Sequence, residues 1–116
     1  DEGYHHISNM DISQICIDQM KERNQKLRYH MKWEVMDVRE LKYPDGCFDL
    51  IVDKSTIDAL LCGDQAYLNV AVMLRECQRV LKEGGYYVAI SYGQPENRIF
   101  HFKRAFLHVN LTAYQI

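Results

Sequence analysis

The 116 residues suffice for one domain, and 47% hydrophobic with 26% charged residues is a globular composition without low-complexity runs. A net charge of −2 and a pI near 6.2 argue against a nucleic-acid-binding surface. No apolar run approaches the ~20 residues that cross a bilayer, and the opening residues do not read as a secretory leader.

The first element in chain order is a short extended stretch over residues 5–10 that ends at Asp11. A helix should follow. Ser13 is placed as its N-cap, and Ile12, Cys16 and Met20 stack at helical spacing with Ile17 beside them. Lys21, Arg23 and Lys26 lie toward its C-terminal end, where cations suit the macrodipole. Trp33 to Met36 reads as a second strand, closed by Asp37. Pro44 and Gly46 mark a turn of type I pattern, with Pro second and Gly fourth. Phe48 to Val52 reads as a buried third strand that runs into Asp53, Lys54, Ser55 and Thr56 and then a short helix.

A longer helix is expected from about Ala66 to Lys82, with Val70, Leu74, Cys77 and Leu81 as its apolar stripe and Met73 and Val80 widening it. Glu83-Gly84-Gly85 has the composition of a glycine C-cap. Tyr86 to Ser91 reads as a fourth strand, and the alternation from Leu107 to Ile116 as a last one. Helices intervening between strands favour a mostly parallel α/β sheet of Rossmann-like form. Cys16, Cys47, Cys62 and Cys77 form no C-x-x-C pair, and read as free, mostly buried thiols of a reducing, cytoplasmic setting. His5 and His6 would point to opposite faces of a strand, so no metal site is expected there.

Three of these strands end in an acid: Asp11, Asp37 and Asp53. Ligands of open parallel sheets sit beyond the carboxyl ends of the strands. An acid there can accept two hydrogen bonds from vicinal ribose hydroxyls, or one from an exocyclic amine. Each acid also has a plain structural use. Asp11 and Asp53 could cap the helices that follow them, Asp53 could pair with Lys54, and Asp37 could be a loop residue.

The segments Asn9 to Ser13, Met36 to Val38, Phe48 to Ala59 and Glu76 to Tyr86 together resemble successive motifs of the class I, seven-strand S-adenosylmethionine-dependent methyltransferases. The resemblance covers about residues 4 to 92. The acid-Lys-x-Thr-x-Asp run from Asp53 to Asp58 is its most specific part. It is similar to the subgroup that methylates lysines of translation elongation factor 1-alpha. Carried over by position, the resemblance implies that Asp11 binds the ribose hydroxyls and Ile12 packs on the adenine. Asp37 and Val38 would hold the adenine edge. Asp53, with the backbone around Lys54, would lie beside the sulfonium and the incoming nucleophile as the catalytic residue, where it could help orient the amine. Lys54, Ser55 and Tyr92 would face the substrate, with Lys54 meeting an acid on a protein target or serving as a solvated turn residue, and Tyr92 lining the substrate mouth or packing at the sheet end.

Three departures accompany the resemblance. The glycines, Gly3, Gly46, Gly63, Gly84, Gly85 and Gly93, form no G-x-G loop. A single late strand stands where the family has a pair. Ser55 occupies a position where the subgroup usually has glycine. These imply a partial methyltransferase domain over residues 1–116, without the family's first strand and one late strand, and inactive alone. The expected function of the whole protein is methyl transfer from S-adenosylmethionine to a protein lysine, with S-adenosylhomocysteine as product. The alternatives are an inactive scaffold-like remnant or a small-molecule methyltransferase. Neither nucleic acid nor membrane is expected as a partner.

Overall fold

The computed structural model describes residues 4–104, 107 and 109–114, and the chain divides into two compact units that meet in sequence between Lys42 and Tyr43. The first unit contains β1 (Ser8–Asp11), α1 (Gln14–Asn24) and β2 (Lys32–Val35). Ser13 is extended, at φ −86° and ψ 115°, and its Oγ accepts the Cys16 N–H at 3.2 Å, so the expected N-cap forms. Lys21 and Arg23 occupy the last turn. Of the expected stripe only Ile17 is buried, while Ile12 is 68% exposed. The helix returns the chain so that β2 runs parallel to β1, with Ser8 opposite Lys32 and Asp11 opposite Val35. The Met36 N–H donates to the Asp11 carbonyl at 2.9 Å and continues the ladder past the strand end.

The second unit contains β3 (Phe48–Lys54), α2 (Thr56–Leu61), α3 (Ala66–Val80), β4 (Leu81–Ile90), a 3-10 turn (Pro95–Asn97) and α4 (Ile99–Phe102). Its core is the inner stripe of α3: Val70, Met73, Leu74, Cys77 and Val80, with Ile57 of α2. β3 and β4 pair in parallel, and Lys54 stands opposite Ile90. Side chains alternate across the pair. Leu50, Val52, Tyr86, Val88 and Ile90 share the exposed face. Arg79 anchors the turn before β3: it donates to the Tyr43 carbonyl at 2.9 Å and to Asp45 at 2.7 Å, while holding Glu76 at 2.8 Å. Among the described residues the strands form two separate two-stranded parallel sheets. The architecture is mixed α/β, with parallel strands accompanied by helices.

Four expectations change. Helix α3 stops at Val80, because Leu81 is already extended, at φ −76° and ψ 139°, and pairs with Phe48. Gly84 and Gly85 therefore do not cap the helix. They lie where the register slips, between the Phe48–Leu81 and Leu50–Tyr86 pairs. Gly84 takes φ +82°, and a Cβ on Gly85 would stand 2.9 Å from the Lys82 carbonyl oxygen and 3.0 Å from that of Asp49. In the turn before β3, Gly46 takes φ +59°, a conformation for a central turn residue. No strand forms in the described part of the expected last strand, Leu107 and residues 109–114; positions 108, 115 and 116 lie outside the described residues. Alternation marks a strand only where a neighbouring edge accepts its hydrogen bonds, and none does so among the described residues. Finally, the cysteines are free, but only Cys77 is buried; Cys62 is exposed.

Candidate functional site

The site residues expected from the sequence fall into two groups, one in each unit. In the first unit the parallel pairing brings Asp11 and the segment carrying Asp37 to the carboxyl ends of adjacent strands. Asp11 Oδ1 accepts the Ser13 N–H at 2.9 Å, the tight turn that launches α1. Its other oxygen takes no hydrogen bond among the described residues. A half-buried carboxylate with a spare oxygen at a strand tip fits a group bearing vicinal hydroxyls. Ile12, next along, offers an exposed apolar side chain.

Asp37 is differently engaged. Arg39 grips it with Nε at 3.0 and 3.1 Å from the two oxygens and Nη2 at 2.6 Å, and adds its backbone N–H at 2.9 Å. These bonds hold the Asp37 carboxyl below its usual range, although burial pulls the other way. An exocyclic amine would therefore share Asp37 with Arg39. Val38, half-buried, sits between them in sequence.

In the second unit, Asp53 is 6% exposed and turned inward. Its Oδ1 accepts the Thr56 N–H at 2.7 Å; its Oδ2 accepts the Ile57 N–H at 3.3 Å and the Tyr87 hydroxyl at 2.6 Å. The carboxylate thus caps α2 and ties it to β4. Burial, with the negative charge of Asp53 beside it, pushes the Tyr87 phenol far up, so Tyr87 stays a neutral donor. Burial, with Asp53 next, likewise lifts the Cys77 thiol to about 12, which leaves it unreactive. Lys54 is exposed and makes no ion pair among the described residues. Ser55 is left-handed, at φ +67° and ψ 8°, and donates its N–H to the Ile90 carbonyl at 2.9 Å. Tyr92 is 88% exposed, so it does not pack at the sheet end.

A family model for the methyltransferase domain matches residues 1–89, more than half of the chain. The chain belongs to the methyltransferase domain family. Among curated relatives, it is 42% identical over 109 residues to the eEF1A lysine and N-terminal methyltransferase of Mus musculus, covering 90% of this chain and 16% of that protein. It is 31% identical over 111 residues to the EEF1A lysine methyltransferase 4 of Mus musculus, covering 89% of this chain and 43% of that protein. The chain thus spans less than half the length of these relatives. A solved S-adenosylmethionine-dependent methyltransferase of Methanosarcina mazei shares the fold, with a TM-score of 0.64 and 20% identity over 84% of this chain and 47% of that one.

Two parts of this methyltransferase domain were not singled out from sequence as functional: Arg39 and the surroundings of Asp58. Asp58, in the first turn of α2, receives a very short hydrogen bond from the Ser91 hydroxyl, the Tyr92 N–H at 3.0 Å, and Arg98 through Nε at 3.2 Å and Nη2 at 3.1 Å. Burial works against its charge, but the bonds from Ser91, Tyr92 and Arg98 outweigh it and keep the carboxyl below its usual range. Asp58 closes the Asp-Lys-x-Thr-x-Asp run, and that spacing was the available signal. Arg98 lies forty residues further on, with no local pattern to mark it.

Proposed function

We propose that the protein carrying this chain is an S-adenosylmethionine-dependent methyltransferase whose acceptor is a protein lysine, of the kind found on translation elongation factor 1-alpha. The observation that carries this reading is Asp11: a strand-tip carboxylate with one oxygen committed to launching a helix and the other left over, in a chain matched by a methyltransferase domain model. The names of the curated relatives support the protein-lysine acceptor. A fold of this type hosts many chemistries, so the acceptor is argued from these relatives and not from the architecture.

S-adenosylmethionine supplies an electrophilic sulfonium methyl. In this reading Asp11 receives the ribose hydroxyls and Ile12 covers one face of the adenine. Asp37 and Val38 border its edge, with Arg39 keeping Asp37 ionised. Asp53 serves as a positioning residue in place of a base, since its oxygens are already used by Thr56, Ile57 and Tyr87. By fixing the turn after β3 it sets the backbone of Lys54 and Ser55. Lys54 and Tyr92, both exposed, face the acceptor. A lysine with a pKa of about 10.4 is neutral in roughly one molecule in two thousand at pH 7. The rate then depends on placing the neutral amine in line and keeping it dry more than on acid–base catalysis.

The test is calorimetry of S-adenosylmethionine binding to the full-length protein, alongside transfer of labelled methyl to purified elongation factor 1-alpha. Asp11→Ala should weaken cofactor binding at least tenfold, about 1.4 kcal/mol. Asp11→Asn keeps the acceptor for the Ser13 N–H and should show most of the same loss. Unchanged affinity in both variants refutes the ribose assignment. Cofactor binding without transfer to any protein favours the scaffold or small-molecule readings.

A further inference from the structure

Asp58 binds three parts of the segment that leaves β4: a side chain, a backbone N–H and a guanidinium. Arg98 also donates to Ser91 Oγ at 3.0 Å, which in turn accepts the Gly93 N–H at 3.2 Å. The Asp58–Arg98 pair is largely sheltered, with 15% and 23% of the two side chains exposed. Gly93 makes room for it: a Cβ there would fall 2.2 Å from Arg98 Cζ and 2.4 Å from its Nε. Three groups therefore converge on one carboxylate through four hydrogen bonds, at the cost of closing loops of more than thirty residues.

The consequence is local rigidity where it bears on Tyr92. Asp53 holds the first turn of α2 to β3 and β4 through the Thr56 and Ile57 N–H groups and the Tyr87 hydroxyl. Asp58, one residue further into the same turn, holds the Tyr92 backbone. Tyr92 thus presents an 88% exposed aromatic ring on a fixed main chain. Such a side chain offers contact area with little conformational entropy left to lose on binding. Resting on the functional reading above, we propose that the Asp58–Arg98 pair, seated over Gly93, is a positioning device for acceptor recognition: it sets Tyr92 against the incoming protein and leaves cofactor binding alone.

The experiment uses the full-length protein with purified elongation factor 1-alpha as acceptor. Asp58→Asn, Arg98→Ala and Gly93→Ala should each raise the KM for the acceptor about five- to tenfold, with the calorimetric Kd for S-adenosylmethionine within twofold of the parent. Arg98→Lys, which restores one charged donor, should recover part of the loss. In a Tyr92→Ala background Asp58→Asn should add little, because both act through one ring. Ser91→Ala removes one donor and keeps the ion pair; it is the milder variant that keeps the test open if Asp58→Asn does not fold, and should raise KM about twofold. Additive effects of Tyr92→Ala and Asp58→Asn, an unchanged KM in folded variants, or cofactor affinity falling in step with KM would each overturn the proposal. A parent protein that binds cofactor but transfers nothing to this acceptor overturns the functional reading and this inference with it. Transfer by the parent with indifferent variants overturns the inference alone.

Discussion

Ser55 holds φ +67° and ψ 8°, a left-handed conformation that is costly for any residue with a Cβ. For an L-residue the cost is roughly 1–2 kcal/mol. Glycine escapes it but loses more chain entropy on folding, by roughly 0.5–1 kcal/mol. The Ser55 side chain makes no capping hydrogen bond, so its removal forfeits nothing there. Its N–H bond to Ile90 is a backbone contact that glycine keeps. Ser55→Gly should therefore stabilise the second unit by about 0.5–1 kcal/mol, or about 2–8 °C in melting temperature at the scale of a small domain. Ser55→Ala retains the strained conformation and should give no gain, which makes it the control. Thermal melts followed by circular dichroism, with urea midpoints at unchanged slope, measure both. A glycine variant that melts no higher than the parent, or an alanine variant that gains as much, would refute the argument that backbone strain governs this position.

Three further outcomes follow from other contacts. Asp53→Ala strands the Thr56 and Ile57 N–H groups and the Tyr87 hydroxyl, and should cost about 3–5 kcal/mol by urea denaturation; a loss below about 1 kcal/mol would mean that water replaces the carboxylate. His101 is fully buried, with neither ring nitrogen hydrogen-bonded among the described residues, and burial, followed by Arg104 and Arg98, lowers its pKa from the ordinary 6.5. The unfolded chain then binds the proton more readily, so stability is full above pH 6.5 and falls as pH drops below it, by at most ~1.4 kcal/mol per unit. His101→Phe, which keeps the tilted ring contact with Phe100 and the edge-on contact with Tyr67, should remove that slope between pH 5 and 7, and parallel profiles would contradict it. Asp37 and Asp58, held below 3.8, contribute above that pH and lose their effect only in stronger acid, outside the histidine window. Gly85→Ala forces a Cβ against two backbone carbonyl oxygens and should cost about 1–3 kcal/mol, read as a lower urea midpoint.

What was legible in the sequence was what neighbours in sequence decide. Ser13 capping Cys16 and the stripe Val70, Met73, Leu74, Cys77 and Val80 follow from spacing alone, and both appear in the structure. The glycine pair after α3 was misplaced because a helix end was inferred from composition. The event that ends the helix is Leu81 pairing with Phe48, more than thirty residues away. The last expected strand had the right alternation, but a ladder needs a second edge, and alternation carries no information about whether one is present.

The acids show the same boundary more sharply. Asp11, Asp37, Asp53 and Asp58 look alike in sequence: acids beside the tip of a strand or in the first turn after it. Their chemistry depends on how many acceptor positions the fold consumes. Asp53 gives its oxygens to α2 and Tyr87, Asp58 to Ser91, Tyr92 and Arg98, and Asp37 to Arg39. Asp11 spends one oxygen and keeps one. Four of the donor residues, Tyr87, Ser91, Tyr92 and Arg98, come from 33 to 40 residues away, so no reading of local motifs could count them. A carboxylate at a strand tip therefore marks a ligand position only to the extent that acceptor capacity is left after the backbone and neighbouring side chains have taken theirs. By that measure the four acids divide into one that can receive a ligand's hydroxyls outright, one that must share with Arg39, and two that hold the frame on which Lys54, Ser55 and Tyr92 are presented.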